Sequence, residues 1–225
     1  KNFYRDAGKD FWITRDNLVA PFIKKPANYG TQIQFMGPSS NRFSYGLTVA
    51  REKGSEWFSA LGFSKTYTAM VNFTPRDNLK FSLMYQHNDE KDWLNWIEDN
   101  LLGIYAKKQR TTVASMNWFG GEKHELRIKA QMVAFTARDP IAYLGDGGGD
   151  LTAVDIDLSP FSLSDLAFQI RYRYEILPLA YLYVVYSKGG RIVESDEEDR
   201  LDKLYQRPWN DPQADNFTVK LRYRF

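Results

Sequence analysis

The sequence predicts an all-β protein, an antiparallel up-and-down transmembrane β-barrel of about ten strands. Three observations lead to this fold class. The carboxyl-terminal segment alternates between apolar and polar residues, segments with the same alternation recur along the chain, and short connections between them alternate with long ones. Together these features are typical of the bacterial outer membrane, which is the location we expect.

The last eleven residues, 215–225, show the alternation most clearly. Successive side chains of a strand point to opposite faces of the sheet. The apolar set is Phe217, Val219, Leu221, Tyr223 and Phe225, and the polar set is Asn216, Thr218, Lys220, Arg222 and Arg224. An apolar face toward lipid, a polar face toward a wet lumen and a terminal aromatic residue indicate an outer-membrane strand. The alternative is an amphipathic edge strand of a soluble protein.

Similar alternation predicts the other strands, each near the ~9–11 residues that a tilted transmembrane strand needs. We place them at 11–19 (a weak candidate), 29–36, 43–50, 66–73, 79–86, 109–118, 124–136, 166–175 and 180–186. The expected organisation is therefore an amino-terminal segment, 1–28, with one weak strand, followed by barrel strands over 29–225. The chain starts at Lys1 without an initiator Met, so we expect a mature product, a processed fragment or the ordered part of something longer. The strands are expected to be part of a larger barrel.

The connections between these segments give an independent indication. Short turns rich in Pro, Gly, Asn or Asp fall at 37–41, 74–78, 120–123 and 176–179. Long links fall at 51–59, 88–108, 137–165 and 187–214. If the carboxyl terminus is periplasmic, every short turn is periplasmic and every long loop is outside, as outer-membrane barrels require. Residues 151–158 also alternate, but a spanning strand there would invert this arrangement, so we place them within an outer loop.

Composition limits the function classes. The chain has no Cys, 43% hydrophobic and 16% aromatic residues, and a mean hydropathy of −0.51. No run reaches the ~20 apolar residues of a membrane-spanning helix. With 30 Lys and Arg against 28 Asp and Glu, bulk charge gives no reason to expect nucleic acid as a partner. The many aromatic residues suit the two interfacial girdles of a barrel.

One helical pattern interrupts the alternation, over residues 92–105. Its apolar residues recur at spacings of three and four, which predicts a short helix in an outer loop. The helix would act as a constriction or as an anchor at the lipid interface through Trp93, Trp96, Ile97 and Leu101. The alternative is a packed loop whose tryptophans are buried against the barrel rim.

A ladder of basic residues is predicted to face the lumen. Its members are Arg127, Lys129, Arg171, Arg173, Lys220, Arg222 and Arg224. Such a wall attracts carboxylated or phosphorylated solutes, because rings of Arg or Lys favour anions. The alternative is a structural network in which acids such as Glu125 and Glu175 neutralise the cations.

No pattern in the sequence indicates an enzyme, a metal site or a cofactor. His87 and His124 are the only histidines, and the topology predicts them at opposite ends of the barrel. A Ser–His–acid site at the lipid boundary lacks any supporting spacing. The acidic clusters of the long links lack the spacing of known Ca²⁺ loops, and solvated loop charge explains them better than Ca²⁺ ligation does.

Several longer motifs point to a family. SPFSLSDLAFQIRYRYEILPLAYLYVVYSKGG (159–190), DWLNWIEDNLLG (92–103), NWFGGEKHELRIKAQMVA (117–134) and the ending NFTVKLRYRF resemble the carboxyl-terminal barrel of an uncharacterised bacterial outer-membrane family. The resemblance covers residues 80–225 well and the first 60 loosely, and LPLAYLY departs from the usual Ser-Asp pair at one turn. It implies an amino-terminal module similar to family 9 carbohydrate-binding modules, outside this chain, and it carries no catalytic residues.

The expected function is a channel or a surface-capture and uptake barrel for a solute that the resemblance suggests is glycan-derived. The alternative is a non-conducting barrel that anchors a sugar-binding module or partner proteins at the cell surface. Expected partners are membrane lipid and lipopolysaccharide, the rest of the same barrel, and the barrel assembly machinery through the carboxyl-terminal strand. Surface or periplasmic proteins are further candidates.

Overall fold

The part of the chain that the structure describes forms one large antiparallel β-sheet, a separate two-stranded pair and a helix on one face of the large sheet. The structure is a computed structural model and describes residues 1–15, 17–37, 42–53, 62–195 and 200–223. Strands make up 74% of it and helix 4%, which confirms the all-β prediction. The strands run up and down in a sheet that is not closed, so a complete barrel is absent from the described residues.

Thirteen strands and one helix follow one another within the described residues. They are β1 (Asn2–Arg5), β2 (Gly8–Asp10), β3 (Ile23–Lys25), β4 (Asn28–Met36), β5 (Phe43–Lys53), β6 (Phe63–Arg76), β7 (Leu79–Glu98), β8 (Leu101–Gly120), β9 (His124–Gly145), β10 (Leu151–Val154), β11 (Phe161–Leu177), β12 (Ala180–Glu194), α1 (Leu201–Asn210) and β13 (Ala214–Arg222). The sheet order is β1-β4-β5-β6-β7-β8-β9-β11-β12-β13, with β10 added beside β9 and a separate β2-β3 pair.

Nine of the predicted strands are present, and the weak candidate at 11–19 is wrong. There the chain turns instead, because the Asp10 carboxylate accepts hydrogen bonds from the backbone N–H groups of Trp12 and Ile13. The Asn17 side chain does the same for the two N–H groups that follow it at 19 and 20. Such side-chain bonds satisfy the backbone locally and compete with strand pairing.

Three tight turns lie at one end of the sheet, and the opposite end carries long connections together with the tip of the β7–β8 hairpin. The tight turns at 77–78, 121–123 and 178–179 share an end, and the connections with β10 and α1 share the opposite end. β10 pairs with the far end of β9, from Leu151 opposite Gly145 to Val154 opposite Ala142. Residues 151–154 therefore extend a connection and are not one of the long strands, as predicted.

The predicted helix at 92–105 is wrong. β7 and β8 continue as a hairpin to a turn at Asp99 and Asn100, with Trp93 opposite Tyr105 and Trp96 opposite Leu102. Irregular pairing after Glu90 and after Trp96 interrupts the alternation, so large apolar residues fall at three- and four-residue spacings within a strand. The spacing imitates a helix, although the backbone is extended.

The register separates the sheet into two chemically different faces. Residues paired across neighbouring strands share a face. A typical row of one face runs across six strands through Tyr45, Val71, Leu83, Ala114, Ala130 and Phe168. A row three residues further along the strands, on the other face, runs through Thr48, Thr68, Gln86 and Thr111. We call these two sides of the sheet the apolar face and the polar face.

Two small clusters form the buried interior at the end with the long connections. Ile13 and Ile23 of the amino-terminal segment pack against Leu94 and Leu102 of the β7–β8 hairpin. On the apolar face, α1 buries Leu204 fully against Ala134. A Trp209 ring from α1 also lies edge-on to Phe168, 5.2 Å between ring centres. These contacts order the long connections without covering the rest of the apolar face.

Candidate functional site

Six of the seven basic residues of the predicted ladder lie together on the polar face, on β9, β11 and β13. Arg171 pairs with Arg127, and Lys129 pairs with Gln169 one row away. Lys220 and Arg222 pair with Tyr183 and Tyr181 of β12. The seventh, Arg224, lies outside the described residues, as does Phe225 of the carboxyl-terminal apolar set. That this face lines a lumen stays a prediction.

A single carboxylate neutralises two of these cations. Glu125, with a side chain that is 10% exposed, forms an ion pair with Arg127 and a second one with Arg173, whose Nε lies 3.1 Å from a Glu125 carboxylate oxygen. Structural pairing thus accounts for part of the ladder. Among the described residues, no carboxylate lies within ion-pair distance of the other four cations, which are Lys129, Arg171, Lys220 and Arg222.

Two tyrosines of β12 stand between the cations of β11 and β13. The Arg173 guanidinium carbon lies 5.3 Å from the centre of the Tyr181 ring, and that of Arg171 lies 5.6 Å from the centre of Tyr183. Such cation–π contacts contribute about 0.5–1 kcal/mol at exposed sites. They support the guanidinium groups without neutralising their charge, so a cavity of about 360 Å³ here has a positive wall.

The other half of the polar face, on β4 to β8, is lined mainly by uncharged groups, and the charged Glu52, Glu90 and Lys107 lie toward one end of its cavity. Asn88 donates a hydrogen bond to the Thr66 hydroxyl at 3.0 Å, and Asn72 donates one to Ser44 at 3.3 Å. A cavity of about 480 Å³ has amides and hydroxyls of all five strands in its lining. At its upper end, Lys107 pairs with the buried Glu90 at 3.4 Å. Sequence reasoning missed this neutral half because isolated Thr, Ser and Gln residues carry no distinctive spacing.

The residues of the predicted loop helix are divided between two packing clusters. Trp93 joins Tyr105, Phe135 and Phe161 in an aromatic cluster on the polar face, with ring centres 5.4–6.2 Å apart. Trp96 packs instead against the cluster around Leu94 and Leu102, and its indole N–H donates to the Asp99 carbonyl at 2.9 Å.

The two remaining residues of that prediction are also held by the hairpin. Leu101 is buried and Ile97 is half-buried, both close to the β7–β8 turn. The alternative interpretation, in which the tryptophans are buried by packing against neighbouring strands at the rim, therefore describes this region better than an exposed anchor.

The carboxyl-terminal apolar set lies on the apolar face, as its alternation predicts. Phe217, Val219 and Leu221 pair with Tyr186, Val184 and Leu182 of β12. Phe217, Val219, Leu221 and Tyr223 are 69%, 57%, 60% and 50% exposed. Within the part of the chain that the structure describes, no protein element covers them.

The two histidines lie at opposite ends of the apolar face. His124 shares a 2.6 Å hydrogen bond with the Tyr172 hydroxyl, and His87 stacks beside Tyr67. Among the acidic residues of the long connections, Asp150 pairs with Lys24 at 2.6 Å, and Asp146 accepts two backbone hydrogen bonds. No group of three or more His, Cys, Asp or Glu side chains placed to hold a metal ion occurs in the described ranges.

No family model, no curated protein and no solved structure matches this chain. Within the described residues, the only helix is too short and too polar to cross a membrane.

Proposed function

We propose that the chain is part of an integral β-barrel of a bacterial outer membrane, with its apolar face toward lipid and its polar face toward a hydrated lumen. The observation that carries the proposal is the separation of the two faces over nine long strands. On β7 the apolar side runs from Leu79 to Tyr85 and reaches His87. The nine residues from Leu79 to His87 span eight steps of ~3.3 Å, or ~26 Å along the strand, which at a tilt of ~40° covers ~20 Å of the ~25 Å apolar band of such barrels.

An aqueous setting explains the apolar face poorly. Phe35, Leu47, Leu83 and Val219 are each about half exposed in the isolated chain, and they lie on four different strands. Soluble monomers rarely expose contiguous apolar patches larger than a few hundred Å². A lipid environment covers such a face without requiring another protein.

The two margins of the apolar face favour one orientation. At the end with the long connections, one row carries Arg51, Lys65 and Lys108 together with Asp89, and Arg110 follows in the next row. At the opposite margin the rows end in aromatic residues. These aromatic residues include Phe43, Phe73, Phe81 and Trp118. Cations at the outer margin suit the phosphates of lipopolysaccharide, and short turns suit the periplasm.

Closure requires more strands than the described residues contain. β1 covers only the first part of β4, up to Gln32, and β13 has one unpaired edge. In lipid each unsatisfied backbone group costs several kcal/mol, so the remaining part of the same barrel must pair with both edges. This requirement agrees with the family resemblance, in which a longer chain carries the barrel and a sugar-binding module. The exposed carboxyl-terminal strand is also the segment that the assembly machinery would engage.

The function that we propose is passage or capture of a solute through the lumen. A wall of amides, hydroxyls and four unpaired cations stays hydrated, which favours a conducting path over a plugged anchor. The unpaired cations Lys129, Arg171, Lys220 and Arg222 favour anionic solutes. The non-conducting anchor remains the second candidate, because the β7–β8 hairpin and the amino-terminal segment pack together into an ordered projection on which other proteins could bind. We propose no enzymatic activity.

Single-channel recording on the full-length protein in planar bilayers tests this proposal. We expect steady openings whose reversal potential in a KCl gradient indicates preference for chloride. A silent bilayer from protein that is folded, as judged by its heat-dependent migration on a gel, contradicts the channel and supports the anchor.

A further inference from the structure

The polar face contains a recess directly beside the unpaired cations. A cavity of about 750 Å³ lies over β8, β9, β11 and β12, and Gln169 lines both this cavity and the one beside Arg171. The two spaces therefore adjoin at Gln169. Their size is within the ~300–1,000 Å³ range of small-molecule sites.

Small residues create the recess. Ala167, Gly189 and Ala214 occupy one row of three adjacent strands, with Gln131 completing it on β9. A Cβ added at Gly189 would lie 2.2 Å from the Leu166 carbonyl oxygen, so only glycine fits there without moving the backbone. The row leaves space where the rows beside it carry long side chains.

Uncharged hydrogen-bonding groups line the recess next to that row. Gln131, Gln169, Ser115 and Ser187 make no side-chain hydrogen bond within the described part of the chain. Amides and hydroxyls both donate and accept, which matches the requirements of vicinal hydroxyl groups. Lys129 lies in the same row as Gln169 and Ser187.

One row beyond Gln169, the side chains of the polar face become positively charged. Arg171 follows Gln169 on the same face, about 7 Å along the strand. Lys220 lies in the next row, opposite Tyr183, whose ring lines the same cavity. An acid group bound by Arg171 and Lys220 would thus leave the rest of a small molecule over Gln169 and the recess.

We propose that this part of the polar face binds a polyhydroxylated organic anion, a sugar acid or a sugar phosphate. Its carboxylate or phosphate contacts Arg171 and Lys220, and its hydroxyls bond with Gln131, Gln169 and Ser187. The small row of Ala167 and Gly189 provides the space for its body. This binding site rests on the proposed function, because it names the class of anion that the proposed lumen would bind.

Equilibrium binding to the full-length protein in detergent micelles, measured by calorimetry, tests this site without any need for conductance. The probes are glucuronate and glucose 6-phosphate, with glucose, acetate and inorganic phosphate as partial ligands. We expect each sugar anion to bind at least tenfold more tightly than glucose and than its own isolated acid. Whichever of glucuronate and glucose 6-phosphate binds more tightly shows whether the site prefers a carboxylate or a phosphate.

Variants separate the two halves of the site. Arg171→Gln and Lys220→Gln are expected to weaken both sugar anions at least tenfold. Ala167→Leu, at an exposed position, fills the recess, and we expect it to weaken glucuronate while acetate binding stays unchanged. Lys80→Gln is the matched control, since Lys80 is an exposed cation of the same face, on β7, away from both cavities.

Two results overturn the proposal. One is the absence of glucuronate and glucose 6-phosphate binding to natively folded protein, and the other is binding that Arg171→Gln leaves unchanged. Either result leaves an open channel intact as a function. Conversely, the protein could bind sugar anions selectively and yet show no conductance in planar bilayers. That combination contradicts the proposed channel and supports the binding site.

Discussion

Leu83→Arg separates a lipid-facing sheet from a water-facing one. Leu83 lies midway along the apolar stretch of β7, residues 79–87, between Val71 and Ala114, and 49% of it is exposed in the isolated chain. If that face meets water, an exposed substitution changes the free energy of folding by no more than ~0.5 kcal/mol. If it meets acyl chains, an arginine near the bilayer midplane costs about 2–4 kcal/mol.

The neighbouring position gives the matched control. Ser82→Arg introduces the same side chain on the same strand, but on the polar face beside Asn72 and Ser115. We expect it to change the folding free energy by less than ~1 kcal/mol, because a lumen residue stays hydrated. The assay is folding of the full-length protein into lipid vesicles along a urea series, followed by tryptophan fluorescence.

The expected difference between the two variants is large enough to measure. A cost of about 2–4 kcal/mol corresponds to roughly 30- to 700-fold in the folding equilibrium, since every 1.4 kcal/mol is tenfold. Equal small effects of the two substitutions would refute the assignment of the apolar face to lipid. A larger cost for Ser82→Arg would mean that the two faces are assigned the wrong way round.

Three further predictions concern individual contacts. Glu125→Gln removes the carboxylate that Arg127 and Arg173 share, so we expect the ratio of anion to cation permeability to rise. A fall in that ratio would contradict the charge pairing described for the polar face. Leu204→Ala should weaken the free energy of docking of α1 on the sheet by ~2–5 kcal/mol and speed proteolysis in the β12–β13 connection. Unchanged cleavage would show that the docking of α1 does not depend on this contact. Trp93→Ala should lower hydrogen-exchange protection at the tip of the β7–β8 hairpin, while the parts of the strands that carry the apolar face keep their protection. A uniform loss of protection would argue against a local aromatic cluster.

The strands could be predicted from the sequence wherever one face carries only apolar residues and the other only polar ones. Alternation with period two marks Phe217, Val219 and Leu221, or Leu126 and Ile128, without knowledge of their neighbours. Toward the long connections both faces carry large apolar or charged residues, and the signal fails. The predicted strands therefore ended about ten residues early on β7, and Trp93 and Trp96 imitated a helix.

The site could be predicted only as a set of like charges on one face. Which cations are neutralised depends on register, because Glu125 and Arg173 are 48 positions apart in the sequence and meet only across paired strands. The recess depends on register as well. Ala167, Gly189 and Ala214 carry no signal separately, and they create space only because three adjacent strands place them side by side.

The most direct test of the central assignment uses the absence of Cys from the sequence. Single cysteines placed in turn at each position from 81 to 86 of β7, labelled with an environment-sensitive fluorophore, report the surroundings of each face after insertion into vesicles containing brominated lipid. We predict strong quenching at 81, 83 and 85 and little at 82, 84 and 86. Equal quenching at all six positions, or none at any of them, would contradict a sheet whose apolar face lies in the bilayer.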